Sequence, residues 1–333
     1  MARQLASIKK IKEIHPVQGA DTIVRAVIDG FDVVIKKDDF EVGDLCVYCE
    51  TDSILPKSNR KFAFLEGKPI KIKRIRGIYS YGIAFPLTVL PSIDKYDEND
   101  DVTDVLEVTK FDDEKDINIL KKKKFPSWIP KTDETRFQTV IDTIKEFEGT
   151  PCLVTEKLDG SSTTHWLDKN GKYHVCSRNC EVSDKNDKLY KISIDRNIPE
   201  LLKKLPKNSI VQGELVGPGI QRNVYKLNEH KIYMFNLRID NKFVNAIDTI
   251  KFLKDAGFDV VPIVHDYYRL ASDKDTLLNL SMGKSKLNSL QPREGIVIRS
   301  IELAKVENDT KGYFVDGRFS FKIINPKYEL KYA

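Results

Sequence analysis

Residues 154–164, "VTEKLDGSSTT", place Lys157 and Asp159 two apart, after β-favouring residues and just before Gly160. A lysine amine attacks phosphorus only when neutral. At an ordinary pKa of about 10.4, only about one lysine in a few thousand is neutral at pH 7. A nucleophilic lysine therefore needs desolvation or nearby positive charge. A bare carboxylate beside it would do the opposite. Asp159 is thus expected to face the water shell of a divalent cation, which would lower the lysine pKa and neutralise a phosphate. On a continuing strand the two side chains would share one face. Gly160 would let the backbone turn without placing a side chain over the site. The bland alternative is a solvated strand end.

Further polar residues interrupt β-rich runs: Arg178 in "SRN", Glu214 in "GEL", Glu294 in "EGIVI" and Lys322 in "FKII". Taken singly, each reads as a strand-end charge. Together they supply an amine, two further cations and three carboxylates, the inventory for handling a nucleoside triphosphate.

The chain of 333 residues suggests two domains. Residues 1–110 read as short strands, "ASIKKIKEI", "DTIVRAVIDGFDVVIKK", "DLCVYCETDSIL", "KPIKIKRIRGIYSYGIAF" and "VTDVLEVTK", with turns at "DGF" and "FEVGDL". That pattern fits a small barrel such as an OB-fold. Ile70, Ile72 and Ile75 alternate with Lys71, Lys73, Arg74 and Arg76, with one slip that suggests a bulge. Charge is segregated: Arg60–Arg76 is basic, with Glu66 its only acid, whereas Asp94–Asp116 is acidic. These are either two solvated faces, or a basic strand pair for phosphates with an acidic linker kept off them. Residues 111–130 lack a steady period and hold two prolines, so they are read as the linker. Residues 131–333 mix α and β. "THWLDKNGKYHVCSRN" reads as a hairpin with Asn170-Gly171 at its tip, and "IPELLKKLP" and "IDTIKFLKDAG" read as helices, the second ending at Gly257. The expected fold class is α+β. "GELVGPGIQRN" is glycine-rich but lacks the Gly-Lys-Ser/Thr ending of a P-loop.

The balance of 55 Lys and Arg against 50 Asp and Glu is mildly basic and permits a nucleic-acid partner. Five cysteines argue against a disulfide framework, and Cys46 and Cys49 fall three apart on an expected strand, on opposite faces, where zinc ligation would need a turn. Five scattered histidines speak against a zinc hydrolase. No signal-peptide core or 18-residue apolar run is present, so the expected setting is cytoplasmic or nuclear, off the membrane.

The ordered set "EKLDG", "SRN", "GEL", "MFN", "EGIVI", "FKIIN" resembles the covalent nucleotidyltransferase superfamily of ATP-dependent ligases and capping enzymes. "FPSWIPKTDETRFQ" resembles the approach to the adenylation domain of RNA ligases. Residues 19–56 resemble the N-terminal OB module of the Naegleria and Deinococcus type of RNA ligase. The resemblance implies a covalent AMP on Lys157. It places Glu156, Arg178, Glu214, Phe235 and Lys322 on ATP or AMP: Arg178 and Glu214 at the ribose or neighbouring phosphate, Phe235 stacked on adenine, Lys322 at the α-phosphate. Asp159 and Glu294 would position the hydration shell of Mg2+ or Mn2+. The implied activity is ATP-dependent sealing of 3′-hydroxyl and 5′-phosphate RNA ends at duplex nicks, by a monomer. Lys71, Lys73, Arg74 and Arg76 are candidate RNA contacts. One departure stands out: many RNA ligases carry a second lysine two residues before the last motif lysine, and here that position is Ser320.

A capping guanylyltransferase or DNA ligase would share "KLDG", but both are expected to carry an OB domain after the last motif, and only eleven residues follow Lys322. A non-catalytic RNA-binding protein is the other alternative, and intact Lys157, Glu214, Glu294 and Lys322 argue against it.

Overall fold

The computed structural model describes residues 4–91, 96–111, 123–303, 306, 309 and 312–332. They divide into two units. The first takes in Met1–Lys115, Gln138–Asp142 and Pro326–Ala333, and the second Asp116–Phe137 and Thr143–Asn325. Much of the expected linker, residues 112–122, and part of the acidic stretch lie outside the described residues.

The first unit is built from short antiparallel strands. Phe31–Lys36 buries Phe31, Val33 and Ile35 while the residues between them face outward, the alternation of a half-buried strand. It is joined to Ile23–Ile28 by the two-residue turn Asp29-Gly30, with φ of 48° and 77° and Ile28 opposite Phe31. This is the primed hairpin geometry that Asp-Gly favours. Glu13–Pro16 completes that sheet, and Leu45–Cys49 runs between Ala6–Lys10 and Ile83–Pro86 in another.

Leu45–Cys49 is covered on both faces. Cys46 and Tyr48 pack with Ala26, Ile28 and Val33. Val47 and Cys49 pack with Ile8, Leu55, Phe62 and Phe85. The two cysteines therefore point into different cores, and both are free thiols.

Two details of this unit differ from the expectation. Ile70 and Ile72 are buried in irregular chain, and the basic hairpin begins only at Lys73. Its strands, Lys73–Ile75 and Ile78–Ser80, pair without a shift of register. The slip in alternation marks the start of a strand, not a bulge. "VTDVLEVTK" contributes only Thr109–Lys110 as strand. Before it, the Thr103 hydroxyl accepts the N–H groups of Leu5 and Ala6 at 2.9 and 3.1 Å, and the chain turns.

The second unit holds two sheets. A seven-stranded antiparallel sheet runs in the spatial order Lys123–Lys124, Cys180–Val182, Tyr173–Cys176, Ser161–Leu167, Ser209–Val216, Lys231–Ile239, Lys242–Phe243. The hairpin between Ser161–Leu167 and Tyr173–Cys176 turns at Asn170-Gly171, where Asp168 accepts the N–H groups of Asn170 and Lys172. A five-stranded sheet runs Thr135–Arg136, Ser320–Ile324, Gly295–Ser300, Pro151–Lys157, Ile263–Arg269. Every residue of Gly295–Ser300 is buried.

Helix Ala246–Ala256 starts at Asn245, whose side chain accepts the Asp248 N–H at 2.8 Å, and ends at Gly257, at φ 97°. It buries Ile250, Leu253 and Ala256. Leu253 joins Val175, Val211, Met234 and Leu237 in the main core. Truncating a leucine buried like this to alanine costs about 2–5 kcal/mol. Besides the two expected helices, Ala246–Ala256 and Ile198–Leu202, helices form at Phe137–Ile144, Lys188–Asp195, Lys274–Ser281 and Pro326–Tyr332. Among the described residues no helix is long and apolar enough to cross a membrane.

Candidate active site

Lys157 is the last residue of its strand and lies opposite Gly295. Register therefore puts Glu294 just beyond the end of the neighbouring strand, beside the lysine. The Lys157 Nζ donates to Glu294 Oε1 at 2.6 Å, and both side chains are largely enclosed, 25% and 16% exposed. Burial alone would lower the lysine pKa, but the charges of Glu294, Glu214 and Asp159 hold it above its ordinary value. Burial pushes Glu294 up to about 7; Lys157 and Lys322 pull it down and Asp159 pushes it further up. Five of the expected site residues are thus linked electrostatically: Glu294, Glu214 and Asp159 act on Lys157, and Lys322 acts on Glu294.

The carboxylates outweigh the cations here, and Glu294 Oε2 is buried without a partner. Among the described residues no three His, Cys, Asp or Glu side chains are grouped to hold an ion directly. This set of carboxylates would fit a hydrated divalent cation.

The turn after Lys157 differs from the expectation. The strand stops at Lys157 and Asp159 lies in a bend, so strand alternation does not bring the two together. Lys157 pairs within the five-stranded sheet and Ser161 within the seven-stranded one. Residues 158–160 are the crossover between them. Gly160 is needed for close approach: a Cβ there would stand 2.3 Å from the Leu215 carbonyl oxygen and 2.9 Å from Glu214 Cγ. The glycine thus answers to the packing of the Glu214 strand; its φ is not positive.

Phe235 owes its placement to a bulge. Gln212 pairs with Asn236 and Gly213 with Met234, so Phe235 is the extra residue of the ladder. A bulge re-aims the side chain it carries, and Phe235 remains partly exposed between buried neighbours. The Arg299 guanidinium stands 5.6 Å from its ring. Glu156 is almost wholly buried. Its Oε2 accepts the Lys286 N–H at 2.7 Å, and its Oε1 has no partner. Arg178, in the turn after Tyr173–Cys176, pairs with Asp133 at 3.0 Å.

Ser320 is buried and its hydroxyl donates to Glu134 Oε2 at 2.7 Å. Glu134 Oε1 accepts from Arg299 at 2.7 Å and from Arg318 at 3.2 Å. Burial would raise the Glu134 pKa, but the two arginines and Ser320 hold it below the usual carboxylate range. Burial draws Arg318 down to about 10, still a cation at neutral pH. Where a second motif lysine would stand, this chain has a serine tied to a carboxylate that pairs with the buried Arg299 and the largely enclosed Arg318. Asp133, Glu134, Arg299 and Arg318 do not stand out by residue type alone. Their signal lies in "KTDETRFQ" and in charged residues set inside apolar runs.

Lys73, Arg74 and Arg76 are exposed on the hairpin of the first unit, with Arg74 over the Tyr79 ring at 5.7 Å. Lys71 is half-buried over Phe111 at 6.0 Å.

A family description of an OB-fold domain matches residues 5–87, and one of RNA ligases matches residues 150–324. Fold and match together define a ligase preceded in the chain by an OB-fold. No curated protein matches the chain. Among solved structures, an apo mutant of Naegleria gruberi RNA ligase aligns with a TM-score of 0.87 at 32% identity, over 99% of each chain. The same ligase with PPi gives 0.86 at 31% over 99% of each chain, and a mutant with ATP and Mn gives 0.86 at 31% over 98% of each. The chain belongs to the RNA ligase family.

Proposed function

We propose that this RNA ligase is ATP-dependent and seals a 3′-hydroxyl to a 5′-phosphate at a nick in duplex RNA through a covalent lysyl-AMP on Lys157. It acts as a single chain in the cytoplasm or nucleus. The observation that carries the reading is the Lys157–Glu294 pair at 2.6 Å, with Asp159, Glu214 and Lys322 around it. The Naegleria structures that contain ATP and Mn support it.

In the first step the Lys157 amine attacks the α-phosphorus. An N–P bond forms, the bond to the β-phosphate oxygen breaks, pyrophosphate leaves, and the amine loses a proton. The lysine must therefore leave its ion pair with Glu294 as the neutral amine. Asp159 and Glu294 would hold a hydrated divalent cation, which would supply positive charge that favours this form and offsets the charge of the phosphate. Lys322 contributes a fixed cation for the α-phosphate. Phe235 offers a partly exposed ring for the base, and Glu156 Oε1 an unpartnered acceptor. Arg178 and Glu214 serve the ribose or adjoining phosphate. A 5′-phosphate oxygen of RNA then attacks the AMP phosphorus, breaking the N–P bond and restoring the amine. Finally the 3′-oxygen attacks the 5′-phosphorus, loses its proton and releases AMP.

The OB domain of residues 1–110 supplies the nucleic-acid surface through Lys71, Lys73, Arg74 and Arg76, and residues 131–333 the chemistry. Incubation with α-labelled ATP and Mg2+ or Mn2+ tests the reading: label on Lys157 supports it. Label from GTP alone, or none, overturns it.

A further inference from the structure

The segment Gly217–Leu227 plays none of the roles above, yet it is strongly shaped. Gln221, Asn223 and Lys226 adopt left-handed φ of 44°, 43° and 53°. Non-glycine residues hold such angles only where their surroundings impose them. The Asn223 side chain fixes the loop from within, donating to the Leu227 carbonyl at 2.9 Å and accepting the Leu227 N–H at 3.1 Å.

The shape serves the crossover after Lys157. Lying between two sheets, residues 158–160 have no ladder partners, so a buried N–H there must find another acceptor. The Asp159 N–H donates to the Tyr225 hydroxyl at 2.6 Å. The Gln221 side-chain amide donates to the Gly160 carbonyl at 3.3 Å. Tyr225 is itself 4% exposed, and the charges of Glu294, Asp159 and Glu156 act on its phenol. The loop is anchored from a third side: the Asn288 amide donates to the Val224 carbonyl at 3.1 Å, and two residues earlier Lys286 gives its N–H to Glu156. The residues flanking the nucleophile are thus held by two loops that are tied to each other.

We propose that Tyr225 is a positioning residue for adenylyl transfer: by accepting the Asp159 N–H it sets the course of the crossover and holds the Lys157 amine and the Asp159 carboxylate toward one site. Gln221 assists by fixing Gly160. This rests on the lysyl-AMP reading. Strand pairing ends at Lys157, and, two residues on, the phenol oxygen holds the Asp159 N–H where the ladder no longer runs.

Tyr225→Phe keeps the ring and removes only the oxygen. The rate constant for labelling Lys157 from α-labelled ATP should fall about 30–100-fold, the scale of a 1 Å misplacement. The KM for ATP should stay within about threefold and the protein should remain folded in the assay, with the urea midpoint lowered by no more than the loss of one acceptor, a combination that a purely structural role would not give. Gln221→Ala, at an exposed position, should lower the rate by a smaller factor of about 3–10. An unchanged rate in Tyr225→Phe, a rise in KM alone, or a drop in rate matching a drop in folded protein would overturn the proposal. If Tyr225→Phe does not fold, a normal rate in Gln221→Ala overturns it and a lowered rate with intact stability supports it. Wild-type protein labelled in parallel separates the cases. Absence of label there defeats the lysyl-AMP reading itself, whereas normal wild-type label beside normal variant label defeats only the role of Tyr225.

Discussion

The basic hairpin of the first unit and the ion-pair clusters of the second carry charge in opposite ways. In the first, Lys73, Arg74 and Arg76 project into water from a short hairpin. In the second, Glu134, Arg299, Arg318, Lys157 and Glu294 are enclosed and paired with one another. Exposed cations cost the fold little and act at a distance that salt screens. Enclosed charges are committed: removing one partner strands the other in a medium that cannot solvate it. Tolerance to substitution should therefore differ sharply between the units, and four measurements test that contrast.

The largest effect belongs to Lys157→Ala, which should abolish label transfer from ATP and all ATP-dependent sealing while leaving a folded protein by circular dichroism. An AMP adduct mapped to any other lysine would break the assignment. Next comes Glu134→Ala, which removes the carboxylate shared by the buried Arg299 and the largely enclosed Arg318. Its unfolding free energy should drop by about 3–5 kcal/mol, read from the urea midpoint. A drop below about 1 kcal/mol would mean that water reaches the cluster.

The third test uses pH. His165 is fully buried, its Nδ1 lies 2.7 Å from the Tyr173 hydroxyl, and its Nε2 has no partner. Burial draws its pKa from the usual 6.5 down to about 3. Below pH 6.5 the unfolded chain therefore binds a proton that the folded chain refuses. This contribution is complete above pH 6.5 and fades progressively as pH falls toward 3. Between pH 7 and 5 the decline is about 2 kcal/mol. A His165→Gln protein should show a correspondingly flatter acid limb; an identical limb in both proteins would show that His165 protonates without unfolding.

The smallest effect on folding belongs to the hairpin. Neutralising Lys73, Arg74 and Arg76 together should change stability by no more than about 0.5 kcal/mol. The slope of log K for RNA against log salt should become shallower by about 0.9 for each phosphate left without its cation. Lys71, packed over Phe111, should add least. An unchanged slope would remove the hairpin from the RNA surface.

The sequence was most legible where structure is local. Asp29-Gly30 and Asn170-Gly171 named their hairpins, and Asn245 and Gly257 bracketed a helix. Four helices were missed although two announce themselves: Asp187 and Asp273 accept the N–H groups of Leu189 and Thr276 at 2.8 Å as N-caps. The candidate site was legible as an ordered set of residue types. How the residues meet was not, because it depends on long-range register. A bulge aims Phe235, a crossover rather than a strand carries Asp159, and Ser320 finds Glu134 across 186 positions of sequence. Pattern reading supplies alternation within one strand; it does not reveal which strand lies beside it.

Cys46 and Cys49 add a consequence of a different kind. They lie on one strand, face separate cores, and burial pushes Cys46 up to about 12 and Cys49 higher. Neither thiol can react until the packing around it opens. With adducts mapped by residue to separate them from Cys152, Cys176 and Cys180, a thiol reagent therefore meets two shuttered reporters on this strand, one for each side. If their labelling rates differ in native protein, one face of the first unit breathes independently of the other, and the chain records this without any added probe.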